Sequence, residues 1–304
     1  MTPSQETTRS PGPADGPIVT LLIPTYNCGH LIGEALASVR AQTWRNLDVV
    51  VVDDGSTDDT AARLAPLEAH GELRILRVAH GGLAAARNAG IRAALGKYIA
   101  FLDADDTLDP DAVRVAVEAM EAAPEAGICL GDVVRVYPDR TELRPGPPPP
   151  GDLFTAILQG NFVERVALFR TPVFREVGLY DESLRILEDW ELYIRVFSKG
   201  VRPVYVPGPG YRYMLRADSL TRDLAVMASS KRQVLARHHR PLAEEGRPGM
   251  RATYADQMWW LARMYYYQLH RPGAALLCLI EGFRFDPDPR RLLRTLHTQV
   301  RGTR

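Results

Sequence analysis

"KYIAFLDADD" (Lys97–Asp106) runs from an apolar segment straight into three carboxylates within four residues, Asp103, Asp105 and Asp106. Charges at the end of a strand that enters a core need a partner, because an unpaired carboxylate is costly to take out of water. Two earlier runs end the same way. "IVTLLI" (Ile18–Ile23) leads into "PTYN", and "LDVVVV" (Leu47–Val52) leads into "DDGSTDD". A further strand is expected at Leu73–Val78, with helices around Leu31–Gln42 and Gly81–Leu95. Short apolar strands alternating with helices predict an α/β fold with a mostly parallel central sheet. Ligands of such sheets lie outside the carboxyl ends of the strands. All three polar clusters fall at those ends and are expected to converge on one crevice. Pro24 is expected to stop the first strand. Asp109 and Pro110 are expected to be the N-cap and first residue of the next helix.

The rest of the chain bounds the function. Its 304 residues suit one large domain, or one with an appendage. Basic and acidic residues balance at 37 each, which disfavours nucleic acid as the main partner. Cys28, Cys129 and Cys278 are far apart and odd in number, so they read as reduced thiols in a cytoplasmic protein rather than a disulfide or zinc framework. No apolar run reaches the length of a membrane span. Residues 1–16 read as a disordered leader and 17–223 as the main α/β domain. Residues 224–304 read as a helical region, with two helices meeting at Pro272-Gly273.

Two readings of "DADD" are open from the residues alone. One is a turn and helix cap. The other is a divalent cation site, since Asp103 and Asp105 lie two apart and point to one side of an extended segment. Mg2+ or Mn2+ takes one or two carboxylates and shares its remaining positions with water and substrate phosphates. The chain has neither G-x-G-x-x-G after its first strand nor G-x-x-x-x-G-K-[ST], so nucleotide binding here needs side chains. Glu188-Asp189 reads as a helix N-cap ahead of Trp190, Ile194 and Phe197. His70, His238 and His239 read as surface histidines. The aromatic cluster around Trp259, Trp260 and Tyr265–Tyr267 reads as a packed helix face or as a sugar-stacking surface. The arginine-rich end, "RRLLRTLHTQVRGTR", reads either as a basic helix in peripheral contact with an anionic membrane or as a segment docked on the preceding helices.

Three ordered segments carry a family resemblance: "LLIPTYNCGHLIGEALASVRAQTWRNLDVVVVDDGSTDDT", "GGLAAARNAGIRAALGKYIAFLDADD" and "VGLYDESLRILEDWELYIRV". Together they resemble a family 2 glycosyltransferase with the GT-A fold, from about Ile18 to Asp223. The resemblance implies an inverting transferase that uses a nucleotide-diphospho-sugar donor with Mn2+ or Mg2+. The acceptor is expected to be a saccharide or lipid-linked saccharide, in the building of a polysaccharide, glycolipid or other cell-surface glycan. It implies that Pro24, Thr25 and Tyr26 lie along the base, that Asp54 hydrogen-bonds it beside Asp53, and that Arg87 stands near the nucleotide. Asp103 and Asp105 match the D-x-D pair, with Asp105 the direct metal ligand. Asp189 matches the catalytic base, with Glu188 its neighbour. "YMLRADSLTRD" resembles a loop that closes over the diphosphate, where Arg216 replaces a common His. The expected location is cytoplasmic, with peripheral contact at the inner membrane face.

Two other classes stand beside this one. A nucleotidyltransferase also places a nucleotide and Mg2+ at strand ends, but usually with a Gly-rich basic loop where "PTYNCGH" stands. A non-catalytic nucleotide-sugar binding protein would dispense with Asp103, Asp105 or Asp189, and all three are present.

Overall fold

The computed structural model describes residues 16–216, 223–290 and 293. It divides into two compact units. The first comprises the chain up to Pro150 together with Phe162–Tyr180 and Val196–Leu215, and the second comprises Gly151–Asn161, Asp181–Arg195 and the chain from Arg216 onward.

The first unit is built on a nine-stranded sheet. Its first strands are β1 (Val19–Thr25), β2 (Leu47–Asp53), β3 (Arg74–Arg77) and β4 (Tyr98–Phe101). They lie side by side in the order β3-β2-β1-β4, all parallel. Helices α1 (Ile32–Arg40), α2 (Thr60–Ala69) and α3 (Leu83–Ala93) make the crossovers between them. Leu21–Ile23 and Val50–Val52 are wholly inaccessible, as strands covered on both faces should be. Each such side chain contributes about 1.5–3 kcal/mol on burial.

The later strands change the sense of the sheet. These are β5 (Thr107–Leu108), β6 (Ala126–Val136), β7 (Thr141–Arg144), β8 (Val166–Arg170) and β9 (Arg202–Met214). β8 pairs antiparallel with both β4 and β6, while β6 and β9 pair parallel. Helix α4 (Ala112–Ala122) follows β5.

Two local expectations are corrected. The first strand does not stop at Pro24; it continues to Thr25 along β2. Odd-numbered residues bond toward β2, as Asp54 N–H donates to the Thr25 carbonyl at 2.9 Å, and even-numbered ones face β4, as Leu102 N–H donates to Leu22 at 2.9 Å. The missing N–H of Pro24 therefore faces β4, whose pairing with β1 ends at Leu22 and Phe101. The proline terminates one ladder and leaves the strand intact. The helix after β5 begins at Ala112 with Asp111, not Asp109, at its N-cap position. Asp109 instead ion-pairs with Arg212 of β9 at 3.0 Å, which fixes its carboxylate away from the helix end.

The second unit is helical: α5 (Leu153–Gln159), the start of α7 (Glu188–Ser198), α8 (Leu224–Val234), α9 (Arg240–Glu244), α10 (Met250–Arg263) and α11 (Pro272–Phe285). Short helix α6 (Val173–Val177) belongs to the first unit. Pro272 opens α11, where its missing N–H costs nothing. α5 shows how the bundle satisfies its polar groups. The last carbonyls of a helix have no partner within it. Here Trp190 Nε1 donates to Ile157, His239 Nε2 lies 2.7 Å from Leu158, and Gln257 Nε2 donates to Gln159. His239 is wholly buried, not on the surface as its sequence context suggested. Of the aromatic cluster, Trp259 and Tyr265 are buried, whereas Trp260, Tyr266 and Tyr267 are exposed.

Candidate functional site

The carboxyl ends of β1, β2 and β4 bring together most of the residues singled out in the sequence. Their approach is fixed by register, since Thr25 lies opposite Asp53 and Leu22 opposite Phe101. Local polar bonds then pin the loops. Asn27 sits in the left-handed region at φ 52°, and its Oδ1 accepts from Thr57 N–H at 2.8 Å. Ser56 Oγ in turn accepts from Asn27 N–H at 3.0 Å. The "PTYN" loop is thereby fastened to the "DDGSTDD" loop. Asp53 caps its own turn, accepting from Ser56 N–H at 2.9 Å.

Asp54 is nearly inaccessible and holds a third loop. Its two oxygens accept from Gly81 N–H at 2.8 Å and Gly82 N–H at 2.9 Å. His80 Nδ1 lies 2.9 Å from the same carboxylate. The ring of His80 stacks on that of Tyr26, with centroids 4.1 Å apart and planes 23° apart. Gly55 makes this contact possible. Its φ is +76°, and a Cβ there would stand 3.1 Å from the His80 backbone nitrogen. Tyr26 is exposed on its outer side and offers a flat surface to a planar ligand.

At the end of β4 the "DADD" segment is a turn rather than an extended strand, closed by Asp106 N–H donating to the Asp103 carbonyl at 3.0 Å. The two-residue alternation that was expected to align Asp103 and Asp105 therefore does not operate here. Asp103 is gripped by two arginines. Arg87 of α3 donates to Oδ1 at 2.9 Å, and Arg165 approaches Oδ2 at 3.5 Å. Burial would raise its pKa, but the two guanidiniums prevail and hold the carboxyl below the usual carboxylate range. Arg165 also donates to the Phe101 carbonyl at 2.6 Å and lies 3.7 Å above the Tyr211 ring. Tyr211 donates to Asp106 Oδ2 at 2.6 Å, and Met214 N–H donates to Oδ1. Burial, reinforced by neighbouring Asp103, pushes the Asp106 carboxyl up to about 7. Asp105 is half-buried beside this network.

His80, Arg165, Tyr211 and Asp106 were not assigned roles from the sequence. A local signal for His80 existed, a ring immediately before the Gly81-Gly82 pair that opens α3. Arg165 and Tyr211 lie 62 and 108 residues from Asp103 and carry no local signal.

The remaining candidates lie in the second unit. α7 begins at Glu188, so Glu188 and Asp189 occupy its first turn rather than an N-cap. Asp189 Oδ1 accepts from Trp190 N–H at 2.6 Å. Glu188 is buried, and Leu187 just before it has φ 64°, a strained value for leucine. Glu191, on the same turn, is held by Arg195 and by His238 Nε2 at 2.9 Å. Burial raises its pKa but these partners lower it by more, so Glu191 is a fixed anion. Arg216 is half-buried. The segment after it, Ala217–Arg222, lies outside the described residues, as do most of the arginine-rich end and residues 1–15.

The test for a metal turns on the donor set. No group of three or more His, Cys, Asp or Glu side chains suited to a metal ion exists among the described residues. Asp103 has an arginine on each oxygen, which leaves it poorly placed as an open ligand. Asp105 fits a site of the kind in which one carboxylate and substrate phosphates share a hard cation.

Comparison with known proteins agrees with this geometry. The chain is 35% identical over 222 residues to the succinoglycan biosynthesis protein ExoO of Rhizobium meliloti, covering 68% of this chain and 64% of that protein. Curated relatives it matches are longer, and it spans from 21% to 64% of their length in three of them. Its fold resembles that of S. aureus TarS residues 1–349, solved with UDP-GlcNAc, with a TM-score of 0.59, 18% identity, and 90% and 91% of the two chains covered. It also resembles the mannosyltransferase PcManGT of Pyrobaculum calidifontis, solved with GDP-Man and Mn2+, with a TM-score of 0.56, 22% identity, and 96% and 82% covered. Those structures place the fold in the GT-A class. The model of the family described as "Glycosyl transferase family 2" matches residues 20–178, just over half of the chain, and the protein therefore belongs to that family.

Proposed function

We propose that this protein is an inverting glycosyltransferase that moves a sugar from a nucleotide-diphosphate donor to an acceptor hydroxyl, in the assembly of a polysaccharide or other cell-surface glycan. The observation that carries the reading is the convergence of the Tyr26–His80 stack, the loop-holding Asp54 and the Asp103–Asp105 turn at one sheet edge. Each has a task in holding such a donor. Tyr26 supplies a face for the base. Asp53 and Asp54 fix the loops around it and keep lone pairs for the base or ribose. Pro24 and Thr25 form the floor beneath it. Arg87 and Arg165 place positive charge beside Asp103, where an anionic diphosphate can approach without meeting a bare carboxylate.

Asp105 is the residue suited to a Mn2+ or Mg2+ ion shared with the diphosphate, and Asp103 is its neighbour held in place by arginine. Such an ion, when bound, offsets charge on the departing diphosphate. Arg216 is assigned a phosphate contact, since a guanidinium matches phosphate geometry. Asp189 is assigned as the general base that takes the acceptor proton, with Glu188 and the first turn of α7 fixing its position. The catalytic region proposed is residues 17–223, with 224–304 as a helical appendage.

The testing experiment is a donor panel. UDP-, GDP- and TDP-sugars are each incubated with the protein and Mn2+, and release of nucleoside diphosphate is measured. Release from at least one, with the sugar recovered on an acceptor or water, is expected. Release of sugar 1-phosphate instead, the group left when the nucleotidyl part is taken, would make the protein a nucleotidyltransferase, and binding with no release would make it a non-catalytic binder.

A further inference from the structure

Helix α11 leaves one face without a partner among the described residues. Its inner face packs closely on α10. Ala275, Cys278 and Phe285 are buried, and Gly282 lies so near Trp259 that a Cβ would stand 2.3 Å from the indole nitrogen. Its outer face carries Leu276, Leu277, Ile280 and Phe283, between 42% and 59% exposed. At helical spacing, positions 276, 280 and 283 form one stripe, with 277 at its flank. Scattered exposed leucines are ordinary, but a contiguous stripe of four large apolar side chains is not. Tyr266 and Tyr267, in the π-helical turn after α10, are also more than half exposed.

Charge decides what covers this face. Glu281 is the sole acid on α11, and it is turned inward to Tyr254 Oη and Arg240. The outer face carries Arg284, and Arg271 and Arg290 flank the helix, all exposed. Beyond it, residues 286–304 hold five arginines and two acids, the half-buried Asp286 and Asp288, whose carboxylates accept from the backbone N–H groups of Asp288 and Arg290. An apolar stripe with interfacial tyrosines and a mainly cationic surround matches an anionic bilayer surface: acyl chains receive the leucines, and headgroups receive the guanidiniums. A second copy of the chain would set these arginines against each other. No helix among the described residues is long and apolar enough to cross a membrane, so such contact would be peripheral.

We infer that the outer face of α11, with Tyr266 and Tyr267, is a docking surface for an anionic phospholipid bilayer. Binding places Leu276, Ile280 and Phe283 below the headgroups.

The test is flotation of the full chain with phosphatidylcholine vesicles that contain or lack phosphatidylglycerol, alongside Ile280→Glu and Phe283→Ser. Both variants alter exposed positions, and circular dichroism confirms their fold. Binding to the anionic vesicles, at least about tenfold weaker for Ile280→Glu and for neutral vesicles, is expected. Equal binding by Ile280→Glu would overturn the inference. So would a concentration-dependent dimer, abolished by Ile280→Glu, in a protein that ignores vesicles. A truncation after Arg290 that binds more tightly than the full chain would show that the chain's own end covers the face, and would overturn it too.

Discussion

The guanidinium of Arg87 lies 2.9 Å from the carboxylate of Asp103, with the arginine side chain only 7% exposed. The pair couples α3 to the end of β4, and the Arg87 guanidinium also lies over the rings of Phe101 and Tyr180, 5.8 and 5.5 Å from their centroids. A buried charge left alone is costly, whereas removing both partners together is much less so. Arg87→Leu leaves Asp103 with Arg165 alone at 3.5 Å and is expected to lower stability by about 1–3 kcal/mol. The double variant Arg87→Leu/Asp103→Leu is expected to lose less than Arg87→Leu alone. Urea unfolding of the three proteins checks this; a double variant weaker than the single one would show that the ion pair is not what the single substitution disrupts.

The Tyr26–His80 stack makes a prediction about the donor. Tyr26→Ala removes the exposed ring but none of the loop-pinning bonds. A stacked base contributes about 1–3 kcal/mol, so nucleotide affinity is expected to fall about tenfold or more while stability changes little. Titration calorimetry with UDP and GDP measures it, and unchanged affinity for both would place the base elsewhere.

Gly55 tests the loop that holds the stack. At φ +76° an L side chain is strained by about 1–2 kcal/mol, and the added Cβ would crowd His80. Gly55→Ala is expected to be destabilised by at least that amount in urea, with weaker nucleotide binding. Gly71→Ala has a similar φ of +71° with open space around its Cβ, and serves as the control for backbone strain alone.

Burial holds the His239 imidazole down to about 4, below its ordinary 6.5, because its charged form would be desolvated among Trp190 and the α5 carbonyls. A depressed folded value means stability present above pH 6.5 and lost as pH falls from about 6.5 toward about 4. The loss at the acid end from this group is about 3 kcal/mol. In His239→Gln the pH dependence of unfolding free energy in that window should be shallower by about one proton. An unchanged slope would mean that the ring is hydrated in the native protein.

The parts of this architecture legible in the sequence were those set by short-range pattern. The runs at Leu21–Ile23, Val50–Val52 and Tyr98–Phe101 are apolar because both faces of their strands are covered, and Gly, Asn and Asp punctuate the loops that follow. What stayed hidden depended on neighbours distant in the chain. Pro24 could be placed inside a strand only once β4 was seen to stop beside it. Arg165, just before the antiparallel β8, and Tyr211, in the β9 strand that pairs parallel with β6, reach Asp103 and Asp106 from late in the sequence. His239 looks like a surface residue until the free carbonyl of Leu158 is set against it. The alignment of Asp103 with Asp105 on one side assumed an extended segment, whereas the chain turns there and two arginines lie on Asp103.

Asp189→Asn separates chemistry from binding. The substitution keeps size and the bond from Trp190 N–H but removes the basic lone pair, so turnover is expected to fall at least about 10²-fold with donor affinity preserved. Near-normal turnover would move the role of base to Glu188.

In the function proposed, a diphosphate is held at the Asp103–Asp105 turn through a cation that Asp105 helps to bind. Calorimetric titration of the donor found in the panel, with Mn2+ and then with EDTA, in the wild-type protein and Asp105→Asn, tests this most directly. Binding with Mn2+ that weakens at least about tenfold in EDTA, and likewise in Asp105→Asn with Mn2+ present, is the result predicted. Equal affinity in all four titrations would contradict it.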